Sequence, residues 1–89
     1  MARTLNVSIV AADRKVWSGD AEMVVARTMI GEIGVLPGHE PVLGLLADGQ
    51  VRITLPGGEK IVANAAGGYF SIAADIVTVV ASRAELVSA

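Results

Sequence analysis

The chain of 89 residues contains no cysteine, one histidine and three aromatic residues. Without cysteine there is no disulfide framework, no thiolate nucleophile and no Cys-ligated zinc. A lone histidine, His39, excludes a multi-His metal centre. Positive charge is also scarce. Seven basic side chains against nine acidic ones leave a net charge of −2, the wrong sign for a nucleic-acid binder. Long apolar runs are missing as well. The longest stretch without a charge is Ile61 to Ala74, 14 residues broken by Asn64, Gly67, Gly68 and Ser71. A spanning helix needs roughly 20 apolar residues, so none is expected. Met1 to Asn6 is not followed by an apolar core of the secretory kind, and a cytosolic setting is expected.

What is present is aliphatic. Hydrophobic residues make up 53% of the chain, yet only Trp17, Tyr69 and Phe70 are aromatic, so the core must come from Val, Ile, Leu, Met and Ala. A chain of this length forms one domain around one modest core.

The apolar pattern has the two-residue period of strands. Leu5, Val7, Ile9 and Ala11 alternate with Asn6, Ser8 and Val10. A turn at Asp13-Arg14-Lys15 precedes a short strand at Val16-Trp17, and Ser18-Gly19-Asp20 breaks the chain before an alternating run from Glu22 to Met29. Val51, Ile53 and Leu55 alternate with polar neighbours, and Pro56-Gly57-Gly58 closes a hairpin onto Glu59 to Ala63. Two last strands, Tyr69 to Ala73 and Ile76 to Ala81, follow Gly67-Gly68 and Ala74-Asp75 respectively. Short strands with frequent turns predict an all-β fold, a flattened antiparallel sandwich or barrel of about ten strands. At the end, Ser82 and Glu85 have capping-box spacing, so the tail 82–89 is expected to begin a helix.

Catalytic constellations are absent. Ser8, Ser18, Ser71, Ser82 and Ser88 lie in strand, turn or tail positions, and none sits in a Gly-x-Ser-x-Gly elbow. Glu32 and Glu40 have no apolar surroundings that would make them an acid–base pair. Gly31 to Gly38 lacks the Lys-Ser/Thr of a phosphate loop, and Pro56 to Lys60 reads as a plain hairpin turn. No catalytic, metal-binding or cofactor-binding residue is assigned. The segment Gly31 to Pro41 stands apart: it is long for a connection, apolar within (Ile33, Val35, Leu36) and stiffened by two prolines. Loops presented by a rigid sheet commonly carry function; the same residues equally fit a tight β-arch with its apolar side chains tucked into the core and Gly38-His39-Glu40 left exposed.

That segment, Gly31-Glu32-Ile33-Gly34-Val35-Leu36-Pro37-Gly38-His39-Glu40-Pro41, resembles the signature loop of the epsilon subunit of rotary F-type ATP synthases. Trp17-Ser18-Gly19, Gly49 to Ile53 and Gly67 to Ile72 agree in order along the chain. The resemblance implies the amino-terminal β-sandwich of that family, over residues 1–84, with 85–89 as the tail where its helical hairpin would begin. It implies a non-catalytic rotor subunit at the foot of the central stalk, bound to gamma and to the polar loops of the c-ring. The site residues it implies are Glu32, Gly38, His39, Glu40 and Pro41, facing the ring and gamma. The setting implied is the cytoplasmic face of the cell membrane, as a peripheral part of the complex. Arg83-Ala84-Glu85-Leu86 does not match the family's Ile/Leu-Asp-x-x-Arg-Ala ATP-binding motif, so a short form without hairpin inhibition or ATP sensing is expected. The competing reading is a free-standing sandwich that binds a protein or a glycan.

Overall fold

The computed structural model describes residues 3–87. Eight strands make up the described residues: β1 (Leu5–Ala11), β2 (Arg14–Ala21), β3 (Met23–Thr28), β4 (Gly31–Val35), β5 (Val42–Leu45), β6 (Gly49–Thr54), β7 (Lys60–Ala73) and β8 (Ile76–Leu86). They form one continuous sheet in the order β2-β1-β8-β7-β6-β3-β4, with β5 paired to β7 off that path. The sheet folds over on itself. One layer holds β2, β1, the first half of β8, the second half of β7, and β5; the other holds the remaining halves of β7 and β8 with β6, β3 and β4.

The inward residues are those that the alternation marks. Leu5, Val7 and Ile9 are fully buried, as are Phe70, Ile72, Val77 and Val79 of the same layer, and Val51 and Ile53 are buried in the other layer. Burying each such aliphatic side chain contributes about 1.5–3 kcal/mol. Phe70 is the largest side chain in this core.

The fold differs from the sequence reading in four places. The all-β sandwich stands, but with eight strands instead of about ten, because β7 and β8 are long and each serves both layers. Gly67-Gly68 does not end a strand; it bends one. Gly68 has φ 136°, and a Cβ there would collide with the Val80 carbonyl oxygen. Second, the sheet is not wholly antiparallel. β1 runs parallel to β8, pairing Asn6 to Val10 with Ile76 to Val80. Third, Ser18-Gly19-Asp20 lies inside β2 and pairs with Ser8, Val7 and Asn6. Fourth, the tail does not turn helical over 82–86. Ala63 to Ala66 pair with Leu86 to Arg83, and the Ser82 hydroxyl donates to the Ala66 carbonyl at 2.8 Å. Ladder bonds to β7 satisfy the backbone groups that a helix would have paired within itself. Ser88 and Ala89 lie outside the described residues.

The β7–β8 connection is a two-residue turn with both residues left-handed, Ala74 at φ 51° and Asp75 at φ 62°. Aspartate tolerates that region, whereas alanine has a Cβ clash and no polar side chain to offset it. Ala74→Gly is therefore expected to raise stability by about 0.5–1 kcal/mol, and Gly68→Ala to lower it by about 3 kcal/mol or more. Urea unfolding of the three proteins checks both signs.

Candidate functional site: the proline arch and the uncharged sheet face

The segment Gly31 to Pro41 is a strand followed by an arch. Residues 31–35 form β4, which pairs with β3 from Thr28↔Gly31 to Val24↔Val35. Val35 is buried and Ile33 packs against the core as inward strand positions, whereas Leu36 is exposed and begins the arch. Glycines and prolines at both ends had hidden the strand's two-residue period. The arch proper spans residues 36–41.

Leu36-Pro37-Gly38-His39 has the features of a type II turn. The His39 amide donates to the Leu36 carbonyl at 3.1 Å, proline holds the second position, and Gly38 at φ 89° takes the third. The turn's own hydrogen bond uses the fourth amide and leaves the third without a partner inside the turn. Here the Gly38 amide donates to Asp75 Oδ1 at 2.7 Å. The other carboxylate oxygen of Asp75 accepts from the Arg3 guanidinium, and the Asp75 carbonyl accepts from the Asn6 amide at 2.8 Å. Half-buried His39 places Nδ1 2.7 Å from the Glu40 carbonyl, a contact that the Nδ1–H tautomer makes as donor. Glu40 and Pro41 are exposed.

The structure therefore divides the five expected site residues. Gly38, His39, Glu40 and Pro41 stay together in the arch, beside Arg3 and the β7–β8 turn. Glu32 sits on β4, three strand residues before Val35, or roughly 10 Å along the strand. Its carboxylate accepts from Arg52 of β6 at 2.8 Å, and Arg27 is its register partner on β3. With both partners of the Glu32–Arg52 pair about half exposed (57% and 47%), it is worth at most about 1 kcal/mol. Glu40, by contrast, makes no ion pair among the described residues.

Charge is distributed unequally over the two outer faces. Across β5, β7, β8 and β1 the outward rows read Leu43–Ser71–Thr78–Ser8, Leu45–Tyr69–Val80–Val10 and Ala73–Ile76–Asn6, with no formal charge among them; β2, at the edge of the same layer, adds exposed Asp20 beside Asn6 and Lys15 beside Val10. Leu43 and Leu45 are 73% and 67% exposed. The other layer carries Arg27, Glu32 and Arg52 outward. A groove of about 460 Å³ opens between the β3–β4 hairpin and β5, with Met29 and Ile30 on its rim. Ile30 is 99% exposed at the hairpin tip. Sequence reasoning missed this tip and this face. The one available signal was the apolar pair Met29-Ile30 where a two-residue turn is ordinarily polar.

The family model described as ATP synthase, Delta/Epsilon chain, beta-sandwich domain matches residues 4–87. The chain belongs to this family. It is 52% identical over 86 residues to the ATP synthase epsilon chain of Streptomyces avermitilis, covering 97% of this chain and 69% of that one. To the epsilon chain of Micrococcus luteus it is 49% identical over 82 residues, covering 92% of this chain and 90% of that one. Its fold superposes with TM-score 0.88, at 25% identity, on a chain of the Euglena gracilis mitochondrial ATP synthase, solved as an OSCP/F1/c-ring assembly. That match covers 93% of this chain and 53% of the Euglena chain, about half its length. As an epsilon subunit of the ATP synthase central stalk, the protein is a non-catalytic component. Among the described residues no helix is long and apolar enough to cross a membrane.

The Gly38 amide, then the Arg3 guanidinium, hold the Asp75 carboxyl below its ordinary value of 3.8. A depressed folded-state pKa contributes stability that is complete above the ordinary value and lost as pH falls through the lowered one. The Gly38 contact is thus expected to stay intact at neutral pH and to open only below about pH 3.8. Following the Gly38 amide and the Asp75 carboxyl by NMR across pH 2–7 checks this. An inflection at or above 3.8 would contradict it.

Proposed function

We propose that this epsilon subunit couples proton flow to ATP synthesis by bridging two rotor partners: gamma on the uncharged sheet face and the polar loops of the c-ring at the arch. The observation that carries the reading is the adjacency of the two surfaces. Asp75 anchors the arch at the end of the β7–β8 hairpin where Ala73 and Ile76 end the uncharged rows.

Each surface suits a different partner. Four strands at about 4.8 Å spacing and about six residues long present on the order of 400 Å². One partner of a stable interface contributes about 800 Å². The uncharged face therefore supplies a core that the flanking groove and arch extend. Its lack of charge removes the desolvation cost of burying ions against gamma. At the arch, the exposed Glu40 carboxylate is available to basic groups on ring loops, and the proline-stiffened turn limits the entropy lost on docking. Glu32 is the second acidic candidate, with the Arg52 pair to be shared or broken.

The same reading extends to setting: the subunit works as a peripheral part of the complex at the cytoplasmic face of the cell membrane.

Two substitutions separate the partner surfaces. Thr78→Lys, at the centre of the uncharged face, is expected to weaken gamma binding about 100-fold by burying an unpaired charge, with the isolated domain still folded. Unchanged affinity in a titration calorimeter would remove this face from the contact. Glu40→Lys and Glu32→Lys are each expected to reduce ATP-driven proton pumping in reconstituted vesicles. Glu40→Lys has the larger effect, because Glu32 is already neutralised by Arg52. Full pumping with either would take that residue out of the ring contact.

A further inference from the structure

The arch is tied down by a residue that lies far from it in sequence and outside the resemblance that marked the site. We propose that Asp75 is the positioning residue of the partner-facing arch: one carboxylate oxygen fixes the Gly38 amide and the other holds Arg3, so that His39, Glu40 and Pro41 are presented in one geometry. This rests on the reading of the arch as the ring-docking surface.

Three observations carry it. First, among the described residues the Gly38–Asp75 contact is the one hydrogen bond that ties residues 38–40 to a distant part of the chain. The remaining restraints, the His39 amide on the Leu36 carbonyl and His39 Nδ1 on the Glu40 carbonyl, are internal to the arch. Second, Asp75 is itself held rigidly. It occupies a left-handed position in a two-residue turn, and its carbonyl accepts from Asn6, where β1 meets β8. A carboxylate on such a base moves little, and its side chain is only 21% exposed. Third, the two oxygens are used by different segments. Asp75 joins the chain's first described residue, Arg3, and the arch to a single turn. Glycine or asparagine would suit the backbone of this turn as well as aspartate does. The carboxylate is what aspartate adds.

Positioning matters because the arch has little else to hold it. Fixing a backbone before docking removes an ordering cost that would otherwise subtract from affinity. Freed from Asp75, residues 38–40 would sample the orientations that a type II turn on a loose stem allows, and Glu40 would meet its partner in only a fraction of them.

The test uses Asp75→Gly, which keeps the left-handed turn without strain and removes both carboxylate contacts. Asp75→Asn serves as the conservative variant, because its amide oxygen can still accept from Gly38. Each variant, in complex with gamma, is titrated onto detergent-solubilised c-rings, and hydrogen exchange is followed at the Gly38 and Asn6 amides. The Asp75→Gly complex is expected to bind the ring roughly tenfold more weakly, the size of one charge-assisted hydrogen bond. Exchange at Gly38 should rise by a similar factor while Asn6, bonded to the Asp75 backbone, stays protected. Asp75→Asn should recover most of both, and gamma affinity should not change in either. Unchanged ring affinity with Gly38 released would overturn the proposal, as would a Gly38 amide that stays protected without the carboxylate. Loss of Asn6 protection in Asp75→Gly would mean a damaged turn, and Asp75→Asn then decides alone: weak ring binding with Gly38 still protected would overturn the proposal. A wild-type complex that fails to bind the ring at all would instead bring down the docking reading, and Asp75 would be left as a turn residue.

Discussion

The close approach of Gly68 to the backbone of Val80 is the constraint on which the rest of the fold depends. Because no side chain stands there, β7 and β8 can bend together and pass from one layer to the other without a change of register, with only Gly67 and Ser82 unpaired at the bend. The core is closed by continuity. One hairpin, 14 residues up and 11 back, forms the spine of both layers, and every other strand attaches directly or indirectly to one of its halves. The β7–β8 turn lies at the end of that spine, so a group anchored there inherits its rigidity.

The same bend separates two chemical surfaces. The half of the hairpin beyond Gly68 turns Tyr69, Ser71, Thr78 and Val80 outward, uncharged. Before the bend, the spine meets β6 and, through it, β3 and β4 with their arginines and Glu32. A domain of this size has few ways to offer an uncharged patch and a charged face at once. Folding one sheet over itself is such a way.

Much of this was legible in the sequence, and the limits follow from physics. Leu5, Val7, Ile9 and Ala11 announced β1, because a half-buried strand must alternate. Pro56-Gly57-Gly58 announced its hairpin, because few other residues accept those backbone angles: the Leu55 carbonyl accepts from Gly58, and Gly57 sits at φ 99°. The tail misled because Ser82 and Glu85 form a local signal, while the ladder that claims them comes from residues about 20 positions earlier. β4 was hidden for a related reason. Gly31, Gly34 and Pro37 depress strand propensity, and only the partner strand β3 makes Glu32 to Val35 extended. Of the site, the arch was visible through Pro37-Gly38-His39-Glu40-Pro41. Its anchor at Asp75 was not, since nothing in a one-dimensional pattern ties position 38 to position 75.

The parallel pairing of β1 with β8 gives the domain a mechanical character. The chain enters near Arg3 and leaves near Val87 at opposite ends of that pair, so tension between the termini slides the two strands past one another. Asn6 to Val10 and Ile76 to Val80 are then loaded together, in shear, and the ladder between them must yield as a block. An antiparallel pairing of the same strands would bring the two pulled ends together and open one bond at a time, like a zip. A subunit of the ATP synthase central stalk is better served by the first arrangement. In this fold it is built from the first strand and the last.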